Sequence, residues 1–117
     1  MRVSLNDQGD IIALDGSSAK TIASYKQNTW INIKVEIDAS LYGKYSLWID
    51  DKKVVSNYHL AEAVTSVERV SFRTGSYRDI PNRKTPNEDP EPPLPGADVP
   101  VNEAIFLLDN FTAKQVQ

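Results

Sequence analysis

The 117-residue sequence contains no cysteine, and this absence removes two kinds of site. Without thiols, the chain can form neither disulfides nor zinc sites with cysteine ligands. The absence leaves the cellular compartment open, because exported domains without cysteine also exist. A single histidine, His59, offers no cluster of imidazoles for a metal ion and no histidine relay.

The sequence also lacks a strong charge bias and any apolar run of membrane-spanning length. A net charge of -3 argues against a nucleic-acid-binding domain, which usually carries a basic face. The short apolar runs predict no membrane partner. No charged segment followed by an apolar one opens the sequence, so we expect no signal peptide in this chain. The length suits one domain, and 40% hydrophobic with 25% charged residues is typical of a folded one.

Proline is absent from the first 80 residues, and all seven prolines lie between Pro81 and Pro100. The run at 88–96 cannot donate a regular ladder of backbone hydrogen bonds. We therefore predict a single β-sandwich domain over 1–117 with a proline-rich surface loop at 79–103. Such a loop either packs on the sandwich in an ordered form or stays mobile.

The clearest positive signal is strict alternation of apolar and polar residues between positions 30 and 50. Ile31, Ile33, Val35 and Ile37 share one face of a strand, and the polar side chains between them share the other. After Gly43 the alternation resumes in a segment with apolar residues at Tyr45, Leu47 and Ile49. A period of two with β-branched and aromatic residues predicts a half-buried antiparallel hairpin.

Shorter segments with strand character flank this hairpin. Asp-Gly at position 15 is a strong hairpin signal, and Gly9 suits a tight turn. A further turn is predicted at 50–52, before the strand at 53–56. The segment 60–64 is either a short helical turn or an irregular crossing. The apolar run at 105–108 predicts a strand covered on both faces. Further strands are predicted at 2–6, 11–14, 21–25, 53–56, 67–74 and 104–114. The fold class is thus all-β, an antiparallel β-sandwich.

Glu36 and Asp38 are the best candidates for paired catalytic carboxylates. Two residues apart on a strand, they share one face at a separation of about 7 Å. The string 36–41 resembles the Glu-x-Asp-x-x-Glu signature of laminarinase-type jelly-roll glycosidases, but Leu41 stands where that family has its acid/base glutamate. We therefore predict no catalytic residues and no enzymatic activity for this chain alone.

Trp48 is the most informative aromatic residue. Alternation places it with Lys44 and Ser46 on the face expected to be polar. It is then either covered by the proline-rich loop or presented to a partner. Sugar rings stack on such aromatic side chains, and arginines bind hydroxyl or acidic groups. The candidate carbohydrate-binding residues are Trp48, Arg73, Tyr77 and Arg78. In the alternative, the loop covers Trp48 and the arginines pair with acidic residues of the loop. Trp30, which begins its strand, is predicted to belong to the core.

Three strings in the middle of the chain occur in an order similar to one known superfamily. They are Asn28-Thr29-Trp30, the strand ending at Asp38, and the strand ending at Asp50. With the closing segment 105–111, they resemble laminin G-like and concanavalin A-like jelly-roll domains of bacterial polysaccharide-degrading enzymes. The resemblance covers roughly 9–114. Members are usually longer, so we expect a compact or truncated jelly roll.

The resemblance implies a carbohydrate-binding or accessory module of a secreted polysaccharide lyase or glycoside hydrolase. The implied partners are an oligo- or polysaccharide and a neighbouring domain, and the implied location is extracellular or periplasmic. It also implies no cofactor beyond a structural calcium, although the acidic pairs at 50–51, 88–89 and 109 match no calcium-loop pattern. The alternative function is a structural or protein-interaction module without sugar binding.

Overall fold

The computed structural model describes residues 1–40, 43–67, 69–72, 74 and 103–115. The chain divides into two compact units, Met1–Val70 and Ser71–Gln117. The described residues form six strands and no helix, all within the first unit. The strands are β1 (Val3–Leu5), β2 (Asp10–Asp15), β3 (Ser18–Ser24), β4 (Ile33–Asp38), β5 (Lys44–Ile49) and β6 (Lys52–His59). None of the described residues belongs to a helix long and apolar enough to cross a membrane.

The first unit consists of two antiparallel three-stranded sheets. Sheet I has the order β1-β2-β3, and sheet II has the order β4-β5-β6. Neighbouring strands in each sheet are consecutive in sequence, so short turns suffice to connect them. The arrangement confirms the predicted all-β fold class of an antiparallel sandwich.

The core lies between the two sheets and is small. Sheet I contributes Ile11 and Ala13 of β2, and sheet II contributes the other four buried apolar side chains of the described residues. They are Tyr45, Leu47, Ile49 and Val55. The hydroxyl of Tyr45 donates a hydrogen bond to the backbone oxygen of Leu14, which joins the two sheets across the core. This bond gives the buried phenol a partner, as a buried polar group requires.

Two tight turns match their sequence signals. In the β2–β3 turn, Gly16 has φ +60°, a conformation that costs glycine little. In the β5–β6 turn, Asp50 and Asp51 both have positive φ, as in a type I′ hairpin turn. Asp50 also receives the backbone N–H of Asn32 on Oδ1 at 2.9 Å, which ties this turn to the segment before β4.

Asp15 fastens the β2–β3 turn to the end of β6. Its Oδ1 accepts the backbone N–H of His59 at 2.9 Å and lies 3.1 Å from His59 Nδ1. Its Oδ2 accepts a bond from Lys20 Nζ at 3.0 Å. Gly16 N–H donates to the His59 carbonyl at 2.8 Å. The backbone hydrogen bond from His59, followed by the Lys20 bond, lowers the pKa of Asp15 to about 2.

Several local predictions were wrong. The described parts of 67–74 and 104–114 contain no strand. The apolar side chains at 105–108 are exposed, because an apolar run forms a central strand only where neighbouring strands pair with it. Trp30 is 64% exposed rather than buried, since β4 begins only at Ile33. The segment 60–64, for which the sequence left two alternatives, is the irregular one of the two.

The second unit is described only in part. Its residues 103–115 are exposed and form no strand, and Phe72 meets Phe111 edge to face with ring centroids 5.6 Å apart. The predicted proline-rich loop at 79–103 lies almost entirely outside the described residues. The prediction of a single domain over 1–117 therefore stays a prediction.

Gly43 and Gly16 form a matched pair that separates the effect of backbone conformation on stability from the effect of side-chain packing. Both have positive φ, but a Cβ on Gly43 would lie 2.8 Å from Leu60 Cδ1, whereas a Cβ on Gly16 would meet nothing within 4 Å. Gly16→Ala should cost about 1–2 kcal/mol in unfolding free energy, from the left-handed backbone alone. Gly43→Ala should cost roughly 1–3 kcal/mol more, because it also overpacks against Leu60. Equal losses in urea unfolding would show that Leu60 moves aside without penalty.

The Asp15 bonds predict a specific acid sensitivity. A carboxylate whose pKa is lowered on folding stabilises the native state above its ordinary pKa, and this contribution is lost as the pH falls. The loss should run from about pH 4 to about pH 2. Asp15→Asn should lower stability at pH 7 and flatten the decline below pH 4, as measured by urea midpoints.

Asp7→Asn is the matched control for that experiment. It removes an exposed carboxylate of the β1–β2 turn that accepts no hydrogen bond from the described residues. The acid decline should persist in this variant. If the stability of Asp15→Asn declined below pH 4 as steeply as that of the wild type, Asp15 would not be the cause of the acid sensitivity.

Candidate functional site

Trp48 lies on the outer face of sheet II, between two lysines from the neighbouring strands. It is partly buried, whereas Leu47 and Ile49 beside it point into the core. Its cross-strand partners are Lys34 on β4 and Lys53 on β6. We call the surface formed by Lys34, Trp48 and Lys53 the Trp48 face.

The two ammonium groups lie against the indole. Lys34 Nζ is 4.4 Å from the Trp48 ring centroid, and Lys53 Nζ is 5.1 Å from it. Both distances fall within the range of cation–π contacts, which are worth about 0.5–1 kcal/mol each at exposed sites. Lys34 also forms an ion pair with Glu36 at 2.9 Å. Both side chains of this pair are more than half exposed, so it adds at most about 1 kcal/mol.

The register of two hairpins builds this face. The β5–β6 turn has two central residues, which places Ile49 opposite Lys52 and Trp48 opposite Lys53. A β-bulge follows at once, because Leu47 pairs with Val55 and leaves Val54 without a partner. The bulge brings Val55 into the core while Lys53 stays beside the indole.

The structure describes only one of the four predicted carbohydrate-binding residues. Trp48 lies on the polar face, as expected from the alternation. Arg73, Tyr77 and Arg78 lie outside the described residues, as does the proline-rich loop predicted as the alternative cover for Trp48. Their assignment to a binding site stays a prediction.

Glu36 and Asp38 have local structural contacts. Glu36 pairs with Lys34, and Asp38 Oδ1 accepts the backbone N–H of Ser40 at 2.9 Å. The backbone hydrogen bond from Ser40 lowers the pKa of Asp38. A general acid needs a raised pKa to hold its proton near neutral pH, so Asp38 is unsuited to that role.

The other polar groups also have structural roles. His59 is the exposed last residue of strand β6, and it contacts Asp15. Asp50 belongs to a turn, and Asp109 Oδ1 accepts its neighbour's N–H. Glu88 and Asp89 lie outside the described residues. Across the described ranges, no three His, Cys, Asp or Glu side chains converge as metal ligands would.

The sequence analysis did not identify Lys34 and Lys53 as site residues. Alternation placed Lys34 on the polar face, but the loop between β4 and β5 has five residues, and its length does not fix which residues pair. The position of Lys53 opposite Trp48 could have been predicted from the sequence. A two-residue turn at Asp50-Asp51 implies Trp48 opposite Lys53, whereas a three-residue turn ending at Lys52 had been assumed.

An open depression elsewhere in the first unit offers no comparable chemistry. Its lining residues are Ala63, Val64, Thr65 and Ser66. None of these side chains carries a charge or an aromatic ring. The Trp48 face is therefore the better candidate for recognition.

Leu47 and Trp48 are adjacent and test the difference between the core and the outer face. Leu47 is fully buried, so Leu47→Ala should cost about 2–5 kcal/mol in unfolding free energy. Trp48→Ala removes two exposed cation–π contacts and part of a half-covered ring, so it should cost about 1–2 kcal/mol. Urea unfolding of both variants checks the order. If Trp48→Ala lost as much unfolding free energy as Leu47→Ala, the indole would have to be regarded as part of the core.

Comparison with known families assigns the chain to a family. The family model described as "Sialidase-like, CBM domain" matches residues 1–89, about three quarters of the chain. No curated protein and no solved structure gave a significant match. The matched range includes all six described strands and the Trp48 face. The chain belongs to the sialidase-like carbohydrate-binding module (CBM) family.

Proposed function

We propose that this chain is a non-catalytic carbohydrate-binding module that holds its ligand on the Trp48 face. The single observation that carries the proposal is a tryptophan turned outward on the central strand of sheet II, in a chain of a carbohydrate-binding family. An aromatic ring offers a sugar a flat apolar surface at low conformational cost, and such anchors supply much of the binding energy in many interfaces.

The surroundings of Trp48 support binding without turnover. Its neighbours on the face are long, exposed side chains with donor groups, Lys34 and Lys53, which suit hydroxyl or acidic oxygens. The nearby carboxylates Glu36 and Asp38 are engaged in local contacts. A flat sheet face buries little of a ligand, so the expected affinity for a single oligosaccharide is weak.

We further propose that the module is attached to a catalytic domain. A weak binding module is useful where it holds an attached catalytic domain close to a polymer, since linking raises the effective concentration. We therefore place the chain beside a polysaccharide lyase or glycoside hydrolase that acts outside the cytoplasm. The laminin G-like and concanavalin A-like resemblance supports this context.

A structural or protein-interaction module is the second candidate function. It is favoured by the exposed apolar side chains of the second unit, including Ile105 at 79% and Leu107 at 71% exposure. Exposed apolar residues in sequence suit a protein partner better than a sugar. This candidate predicts no role for Trp48 in binding.

The binding test uses the two tryptophans separately. Trp30→Phe leaves Trp48 as the only indole, so a fluorescence change on adding oligosaccharides reports contact at the Trp48 face. Titration calorimetry then compares Trp48→Ala with Trp30→Ala. Trp48→Ala should weaken binding by about tenfold or more, while Trp30→Ala should retain it.

Circular dichroism shows whether each variant keeps its strands. Binding that survives in a folded Trp48→Ala variant would move the site off this face. Binding that is lost only in Trp30→Ala would place the site at the segment before β4.

A further inference from the structure

We infer that the saccharide taken by the Trp48 face is anionic and carries a carboxylate or a sulfate group. This inference rests on the proposed function, because it assigns a ligand class to the same face. The inference is based on the two ammonium groups beside the indole. A tryptophan that binds a sugar does not by itself need cations next to it.

The first argument is how a ligand must approach the indole ring of Trp48. Lys34 reaches the indole from β4 and Lys53 reaches it from β6, so each neighbouring strand supplies a cation to the aromatic surface. A neutral sugar that stacks on the ring must move at least one ammonium away and gives it only hydroxyl oxygens in return. An acidic sugar gives the displaced ammonium a charged partner, and charge-assisted hydrogen bonds are the stronger ones.

The second argument is that these cations are available. Within the described residues, no carboxylate lies at ion-pair distance from Lys53. Lys34 pairs with Glu36, but both side chains are more than half exposed, so the pair is easily exchanged for another anion. The chain as a whole carries a net charge of -3, so attraction of an anion to this face depends on these two lysines.

The third argument is the order of groups across the sheet. Lys34, Trp48 and Lys53 are directly opposite one another on three adjacent strands. Neighbouring strands lie about 4.8 Å apart, so the outer two Cα positions are separated by roughly 10 Å. A glycan lying across the strands meets an ammonium, an indole and a second ammonium in turn. Stacking on the indole thus leaves acidic substituents on either side within reach of a lysine.

The experiment uses an array of matched trisaccharides of gluco, galacto and manno configuration, each in neutral, uronic-acid and 6-O-sulfated form. The full chain should bind acidic members at least tenfold more tightly than their neutral counterparts. The preference should shrink in 0.5 M sodium chloride, because salt screens exposed charges. Whether the uronic acids or the sulfated sugars bind more tightly identifies the anionic group.

Substitutions assign the preference to the two lysines. The double variant Lys34→Gln with Lys53→Gln should lose the acidic preference and remain folded. Its thermal unfolding midpoint should fall by several degrees at most, because the cation–π contacts that it removes are exposed. Lys52→Gln is the matched control, because Lys52 adjoins Lys53 in sequence but pairs with Ile49, whose side chain faces the core. This control should keep the preference.

Three results would overturn the inference. Neutral members that bind as tightly as acidic ones, with binding lost in Trp48→Ala, would refute the anionic ligand and leave the proposed function standing. An acidic preference unchanged in the double variant would refute the role of the lysines. No binding to any member would refute the inference together with the proposed function.

Discussion

Burial of one face of strand β5 is the constraint on which the rest of this structure depends. Tyr45, Leu47 and Ile49 are half of the six buried core residues among the described ones, and β5 is the central strand of sheet II. Because successive side chains of a strand point to opposite faces, burying these three residues forces Lys44, Ser46 and Trp48 outward. The position of the indole on the surface is therefore a consequence of core formation.

A small core needs additional connections between the sheets, and polar bonds supply them. Only six apolar side chains in the described residues are buried. The Tyr45 hydroxyl spans the core to the Leu14 carbonyl, and the Asp15 carboxylate holds the end of β6. Burial also raises the pKa of Tyr45 to about 12, so this bridging hydroxyl keeps its proton well into alkaline conditions. These bonds hold sheet II against sheet I, and a stable sheet keeps the three residues of the Trp48 face in register.

Binding and catalysis make different demands on carboxylates. A catalytic pair must keep one carboxyl protonated in a poorly solvated site. Here Glu36 is paired with a lysine, and a backbone hydrogen bond holds the pKa of Asp38 low. Carboxylates in these positions stabilise the strand and its end. The chemistry left on the outer face of sheet II is an aromatic surface with cations, which suits recognition.

The sequence by itself determined the elements whose signals are local. Alternation from Ile33 to Ile49 gave the central hairpin and the outward direction of Trp48, and the turns at Asp15-Gly16 and Asp50-Asp51 occur where their residues suggested. These features follow from strand geometry and turn stereochemistry, which act over a few residues.

Only the tertiary structure decided which residues meet across strands. The bulge at Val54 places Val55 opposite Leu47 and in the core. Trp30 and the run at 105–108 read as core residues, yet both are exposed. Apolar character favours burial, but burial also needs a neighbouring element to cover the side chain, and no local pattern in the sequence specifies that neighbour.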